Sequence, residues 1–465
     1  MFKSSSRKFA LSIFAMLACG FFSLSAQAKL SEFTLQNGLK IVVKEDHRAP
    51  VVVHQVWYRV GSNYEPNGIT GISHMLEHMM FKGTAKLKPG EFSKLVARMG
   101  GEENAFTTND YTAYYQVVGK QHLEDVMRLE ADRMRNLQLD VKEFATERQV
   151  VTEEWRWRVQ DRPESKLYQA FKAMAFVNSP EHHPVIGWKS DIDSWTLDDL
   201  KNWYQRWYAP NNATLVVVGD VDTEQVLNLA KRYYGPAKAE SIEELKPQVE
   251  QMQLGERRLK MKGATQLPNL LIGVHVPTLK SAENAQQRQE VYALSLLNDL
   301  LDGDDSSILT KELVRKQKSV VSASSYYDPT EKLSRLFTFE ATPSSGFSSE
   351  EVEKRFWEMI KQLQDKPVSE AALQRVMAQT EANYVYRQDS MRGQAMLLGS
   401  LVSVGLPLDT IDHWLLNLRK VTPQQIQAVA KKYFDPEKAT VAILLPNGEK
   451  PTSAQQMSLQ TKGVH

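Results

Sequence analysis

His74-Met75-Leu76-Glu77-His78 is the stretch on which the reading of this chain turns. Its spacing is H-x-x-E-H. On a helix the two histidines stand at i and i+4, so both imidazoles leave one face about a turn apart. From there two ring nitrogens can reach one Zn2+ at roughly 2.0–2.1 Å each. Glu77, at i+3 from His74, projects to the same side, where it can take a proton from a water held at the metal. The flanks suit a helix: Thr70 and Gly71 precede it, Ile72, Met75, Met79, Met80 and Phe81 supply apolar surface, and Lys82-Gly83 stops it. Taken alone, the same five residues also describe two partly exposed histidines and a solvated glutamate on an ordinary surface helix.

At 465 residues the chain exceeds one hydrophobic core and implies at least two domains. Hydrophobic residues at 42% and charged residues at 24% are those of a globular protein. The first 28 residues differ. Lys3, Arg7 and Lys8 form a basic start, Phe9 to Leu24 an apolar run, and Ala26-Gln27-Ala28 a small-residue cleavage site. Together they predict a secretory signal peptide over 1–28, cut after Ala28, and export to the periplasm. The apolar run, interrupted by Ser12, Cys19 and Gly20, is too short for a membrane span. Met16-Leu17-Ala18-Cys19 is a poor match to a lipoprotein acylation site, so no lipid anchor is expected at Cys19. Cleavage removes this only cysteine, which excludes disulfides and thiolate chemistry from the mature chain. It also removes three basic residues and takes the formal charge from +1 to −2, a balance that suits neither nucleic acid nor an anionic membrane surface.

Phe33-Thr34-Leu35 and Leu39-Lys40-Ile41-Val42-Val43 flank Gln36-Asn37-Gly38, and Asn-Gly between β-rich runs predicts a hairpin. Val51 to Val60 predicts a third strand. Glu91 to Met99, with Phe92, Leu95, Val96 and Met99 at helical spacing, predicts a helix stopped by Gly100-Gly101. Asn104 to Val118 predicts two strands around Asn109-Asp110. His122 to Leu137 and Val141 to Arg158 predict helices, the second with Asp140 at its N-cap. On that second helix Glu147 and Glu154 are two turns apart and share a face. Trp195 to Trp207 predicts a further helix, with Trp203 and Trp207 in the core, and Ala213 to Val218 a buried strand. His47, His54, His122, His275 and His413 stand alone and are expected to be surface or packing residues.

The second half repeats the first. Thr196, Tyr208 to Pro210 and Ala213-Thr214-Leu215-Val216-Val217-Val218 fall on Thr422, Phe434 to Pro436 and Ala439-Thr440-Val441-Ala442-Ile443-Leu444, at a constant offset of 226 residues. So long a period implies two related α+β domains rather than a solenoid, whose repeat would be about 20–50 residues. Residues 29–240 are expected to form an N-terminal domain with the metal site and 263–465 a C-terminal domain without one. The charged stretch 241–262 is read as a linker. Around Ser295 to Leu301, where a second metal helix would fall, there is no histidine, so one metal site per chain is expected.

H-x-x-E-H is the inverzincin order. In an exported two-repeat chain it resembles the M16 family of zinc metallopeptidases, which includes pitrilysin, insulin-degrading enzyme and mitochondrial processing peptidase. The resemblance runs over nearly the whole mature chain and implies a LuxS/MPP-like fold: α+β, two homologous domains, each an antiparallel-rich sheet covered by helices. "HMLEHMMFKGT", His74 to Thr84, matches the family's metal helix. "ERQVVTEEW", Glu147 to Trp155, matches its distal segment, where the third ligand lies about 76 residues beyond the second histidine, the distance from His78 to Glu154. The resemblance thus implies His74, His78 and Glu154 as ligands of one Zn2+ per chain, Glu77 as general base, and Glu147 as a support behind the ligands. "NAFTTNDYTAYY", Asn104 to Tyr115, resembles the edge strand on which the family binds extended peptides, and implies substrate contacts at Asn104, Ala105 and Phe106. The chemistry agrees with a zinc metalloendopeptidase, since two imidazoles and one carboxylate leave a fourth position for water.

Self-sufficient members of the family also carry an arginine and a tyrosine seven residues apart in the second half, which help bind the substrate carbonyl in the transition state. Arg315 supplies the arginine. Seven residues on stands Ser322, with Tyr326 and Tyr327 further along. Half-length members often work as dimers, one chain supplying zinc and the other the Arg/Tyr surface. The expectation is a zinc-bearing subunit of a homo- or heterodimer with another half-length M16 chain, acting on peptides. The alternative is a structural or peptide-binding subunit that does not cut; the intact His74, Glu77, His78 and Glu154 stand against it.

Overall fold

Residues 30–242 and 244–449 are described by the computed structural model. The expected signal peptide, with Cys19, lies outside these residues. Asn37-Gly38 turns the chain between β1 (Leu30–Thr34) and β2 (Lys40–Glu45), which pair antiparallel as the Asn-Gly signal requires. There follow β3 (Val51–Tyr58), α1 (Ile72–Met79), α2 (Glu91–Arg98), β4 (Glu102–Thr107) and β5 (Thr112–Gly119). Next come α3 (Leu123–Asn136), α4 (Val141–Trp155), α5 (Pro163–Ala175), α6 (Lys189–Ser194), α7 (Leu197–Trp207), β6 (Ala213–Gly219) and α8 (Thr223–Tyr233). The six strands form one sheet in the order β1-β2-β6-β3-β5-β4, in which only β2 and β6 run parallel.

The second half builds the same sheet from β2 onward. It contains β7 (Arg257–Gly263), β8 (Asn269–Val276), α9 (Ala285–Asp302), β9 (Val320–Tyr326), β10 (Arg335–Pro343) and α10 (Ser349–Asp365). It ends with α11 (Glu370–Asp389), α12 (Met391–Val404), α13 (Thr410–Leu418), α14 (Pro423–Tyr433) and β11 (Thr440–Pro446). Its order is β7-β11-β8-β10-β9, with β7 and β11 parallel. The repeat in sequence is a repeat in structure. α7 and α14 both start from a threonine, Thr196 or Thr422, in a capping box, and both lead through a 3-10 turn into a buried strand.

One boundary differs from the sequence reading. Arg257–Gly263, placed mostly within the expected linker 241–262, is strand β7, paired in parallel with β11. Its period of two was hidden by charge. Leu259 and Met261 turn inward while Arg258 and Lys260 turn out to Glu353 and Glu350. The described residues from 241 to 256 carry neither helix nor strand.

Each sheet is covered on one face by helices of its own half and on the other by a helix of the opposite half. Ala395, Leu398, Leu401 and Val402 of α12 pack on Val42, Val53, Trp57, Ala113, Val216 and Val218 of the first sheet. Leu167, Phe171 and Ala175 of α5 pack on Leu271, Leu336, Ala442 and Leu444 of the second. The approach of α12 is close: a Cβ on Gly399 would lie 2.0 Å from the Trp57 ring. Burial on both faces is why β6, Ala-Thr-Leu-Val-Val-Val-Gly, is buried at every position rather than alternating.

A polar seam joins the halves at their hairpin tips. Asp110, in the turn between β4 and β5, accepts from the Lys332 backbone N–H at 2.9 Å, and the Lys332 ammonium donates to the Tyr64 hydroxyl at 2.7 Å. Glu181 accepts from Lys172 at 3.1 Å and from Arg335, across the seam, at 3.0 Å. Asn63 Nδ2 donates to both Asp110 and Glu181 at 2.8 Å. Glu331 pairs with Arg335 at 3.2 Å.

Candidate active site

The metal-motif helix α1 starts in an unusual way. Its N-cap, Gly71, has φ +83° and offers no side chain; Glu65 instead accepts from the Gly71 and Ser73 N–H groups at 2.6 and 2.8 Å. Burial pushes the Glu65 carboxyl up to about 7, against these two bonds, which lower it. Trp203 Nε1 donates to Ser73 Oγ at 3.1 Å and fixes the same turn from α7. The other metal-facing helix, α4, is capped by Asp140, whose carboxylate accepts from the Lys142 and Glu143 N–H groups. It ends in a π-helical turn, Arg156–Gln160.

Between these helices the expected ligands converge. One donor atom from each of His74, His78 and Glu154 lies within 4.8 Å of the others, and this is the one such group among the described residues. Glu154 Oε2 stands 3.2 Å from His78 Nε2 and 3.8 Å from His74 Nε2. On the far side of His78, Nδ1 is 2.9 Å from Glu147 Oε1. A carboxylate can only accept, so Nδ1 donates to Glu147, and Nε2, which faces Glu154, is the nitrogen that would give its lone pair to a metal ion once its own proton is lost. Glu147 is buried and its other oxygen is ion-paired to Lys82. His74 is buried and, among the described residues, its Nδ1 has no hydrogen-bond partner.

Between the protein groups alone the two imidazoles are driven apart. Burial, then the neighbouring His78, pulls His74 down to about 4, so it is neutral. Burial would also lower His78, but hydrogen bonds to Glu147 and Glu154 outweigh it and push the ring up to about 9. Glu154 is held below the usual carboxylate range: burial raises it, and the bond to His78 with the positive charges of Arg158 and His78 overcomes that. Two imidazole nitrogens and one carboxylate oxygen, oriented by a buried carboxylate behind them, are a donor set that fits Zn2+.

Glu77 lies beside the cluster, half-buried, with Oε2 accepting from Thr107 Oγ1 at 2.5 Å. Burial raises its carboxyl above the ordinary range; the Thr107 bond and His78 lower it and do not cancel the rise. Arg158 Nε donates to the remaining Glu154 oxygen at 2.8 Å. The Arg158 side chain also lines a cavity of about 460 Å3 with Tyr168, Lys172, His182 and Arg335, between the two halves.

The expected substrate strand is β4, at the free edge of the first sheet. The Ala105 N–H is turned away from β5 and is taken up by the Asn104 carboxamide at 2.8 Å. Phe106 faces the opposite side and meets the Trp57 ring edge-on at 5.5 Å. Arg315 is not brought to the cluster. It lies on a π-helical turn, Thr310–Lys316, mostly exposed and 3.6 Å from Asp305. Ser322 sits on the edge strand β9 opposite Thr342. Tyr327 is buried with its hydroxyl donating to Pro277 O at 2.6 Å, whereas Tyr326 is exposed. His54 is a packing residue, bonded to Gln116 and Tyr234.

Sequence reasoning missed Glu65, Lys82, Arg158 and the role of Thr107. Arg158 could have been found, since it stands at i+4 from Glu154. Glu65 and Thr107 carry no local signal, because the residues they hold lie on other elements.

Two family models match the chain: residues 40–188 match insulinase, peptidase family M16, and residues 194–380 match the peptidase M16 inactive domain. The zinc protease PqqE of Helicobacter pylori is 32% identical over 436 residues, 91% of this chain and 95% of that protein. The chain belongs to peptidase family M16. The uncharacterized zinc protease YmxG of Bacillus subtilis is 25% identical over 426 residues, 91% of this chain and 100% of that protein. The crystal structure of a protease from H. pylori superposes with a TM-score of 0.84 at 31% identity, covering 90% of this chain and all of that one. The periplasmic protease PqqL of Escherichia coli shares the fold at a TM-score of 0.75 and 19% identity. This chain spans 50% of PqqL. The chain is an M16 protein of two α+β domains; the cluster of His74, His78 and Glu154, which could hold a metal ion, lies in the first half, and the inactive-domain match falls largely on the second. No described helix is long and apolar enough to cross a membrane.

Proposed function

We propose that this M16 chain is an exported zinc endopeptidase that cuts peptides or unfolded protein segments, and the zinc-bearing subunit of a dimer. The observation that carries the reading is the convergence of His74, His78 and Glu154 with Glu77 alongside. His74, His78 and Glu154 would hold one Zn2+ per chain. Bound there, the ion supplies a Lewis acid for the scissile carbonyl and lowers the pKa of a water.

The protein groups have separate tasks. Glu147 accepts from His78 Nδ1, so the ring would offer its Nε2 lone pair to the ion. Glu77, with Oε2 engaged by Thr107, has Oε1 free to take the proton of the attacking water and pass it to the leaving amine. Burial raises its carboxyl above the ordinary range, the direction that strengthens a base. A peptide adding to the β4 edge would replace the Asn104 carboxamide on the Ala105 N–H, with Phe106 flanking it. Arg315, mostly exposed and turned to Asp305, fits service to the site of a second half-length chain, homologous or identical. Export rests on the signal peptide expected over 1–28, and the periplasm of PqqL is in keeping with it.

A subunit that binds peptides without cutting is the second reading, and the serine at position 322 is what favours it. One experiment separates them. The mature chain from Lys29 is assayed for bound zinc and incubated with a mixed peptide library, beside Glu77→Gln. One zinc per chain and cleavage lost in the variant are expected. Zinc with no cleavage, alone or with a half-length partner, would favour the binding subunit. No zinc would overturn the proposal.

A further inference from the structure

We infer that Thr107 is the positioning residue of the general base, and that it ties the alignment of Glu77 to the strand on which substrate docks. The inference rests on the proposal that Glu77 is that base. Thr107 is the last residue of β4, opposite Thr112 of β5. Side chains alternate along a strand, so Ala105 and Thr107 share a face while Asn104 and Phe106 take the other. The packing agrees: Ala105 lies against the core that contains α1, and Phe106 against the cluster that contains α12. Thr107 therefore points at α1, and its hydroxyl donates to Glu77 Oε2 at 2.5 Å.

Among the described residues no other group hydrogen-bonds the Glu77 side chain. The neighbouring Thr112 hydroxyl lies 3.5 Å from Thr107 Oγ1 and makes its shorter bond to Val60 O, at 2.9 Å. One oxygen of Glu77 is thus fixed by β4, and the direction of the other follows from it. A peptide that adds to Asn104–Phe106 loads the strand that ends in Thr107, so docking and the placement of the base share one rigid element. Threonine is suited to this. Its branched Cβ restricts χ1 in a strand, and its hydroxyl supplies the one donor a carboxylate needs.

The test compares parent, Thr107→Val, Thr107→Ser, Glu77→Gln and the double variant T107V/E77Q, each with zinc content and thermal midpoint measured beside kcat and KM. Valine keeps the shape and removes the donor. We expect T107V to bind zinc like the parent and to lose roughly 10–100-fold in kcat with KM little changed, because a small displacement of a reacting group has that order of effect. Serine should restore most of the rate. E77Q is expected to lose cleavage, so the double variant is read in zinc content and thermal midpoint: T107V should change neither beyond E77Q alone, whereas a merely structural loss would reappear there. A T107V enzyme with parental kcat, or one changed only in KM, would overturn the inference. A Glu77→Gln enzyme as active as the parent would overturn the reading of the base, and the inference with it.

Discussion

His78 is held at both ring nitrogens by carboxylates, and each carboxylate does different work. Glu154 faces the donor cluster; Glu147 stands behind the ring, buried, with Lys82 balancing its charge. Glu147→Gln keeps the shape and a hydrogen-bond acceptor but removes the charge that orients the ring. Zinc affinity, measured by competition with a chelator, should fall about 10–100-fold, with the fold unchanged by circular dichroism. An unchanged affinity would show that the tautomer is set without it. At this scale the sequence was informative where residues act within one helix. His74, Glu77 and His78 are one motif, and Glu147 and Glu154 share one face of α4. Thr107 and Glu65 were not legible as partners, because a strand of the sheet edge and a loop must first be folded against α1.

At the scale of the element, α1 is aimed by its first turn. Gly71 has φ +83°, and a Cβ there would stand 2.4 Å from the Ile186 carbonyl oxygen, a backbone atom with no freedom to give way. Gly90, the N-cap of α2, has φ +71° with nothing within 4 Å of its would-be Cβ. Gly90→Ala should therefore cost only the left-handed backbone term, about 1–2 kcal/mol. Gly71→Ala should cost more by urea denaturation, and should also weaken zinc binding by tilting the motif helix. Equal costs at the two sites would mean that the 186–187 loop yields. Elements with a clean period, such as the β1–β2 hairpin, α2 and the strands around Asn109-Asp110, were readable in advance. β7 was not, because its outward residues are Arg258 and Lys260, each of which has a glutamate on α10 that no local pattern announces.

At the scale of the whole molecule, the seam between the halves stores a pH dependence. Asp110 and Glu181 face Glu331 across it, with Lys172 and Arg335 between and the Lys332 ammonium turned to Tyr64. Burial, then Asp110 and Glu181, pushes Glu331 up to about 8 from an ordinary value of 4.5, with Arg335 opposing. A carboxyl raised in the folded state gives stability that is full below its unfolded pKa and is lost as pH rises through the folded one. The thermal midpoint of the zinc-loaded chain should fall from about pH 5 to about pH 8 and level above it, and Glu331→Gln should make that fall shallower. Parallel curves would show that the seam does not titrate there. The internal repeat foretold two like sheets, but not that each would lend the other a helix. Pairing across hundreds of residues leaves no periodic trace beyond the apolar faces of α5 and α12. That exchange bears on how the protein survives damage. A backbone cut between 244 and 256 severs no helix or strand, and the fragments should elute as a single particle. Expressed apart, each would present a bare apolar sheet to water and should aggregate; refolded together, they should recover zinc binding. Were they to do so, the molecule would be an obligate pair of halves that no longer needs the covalent join.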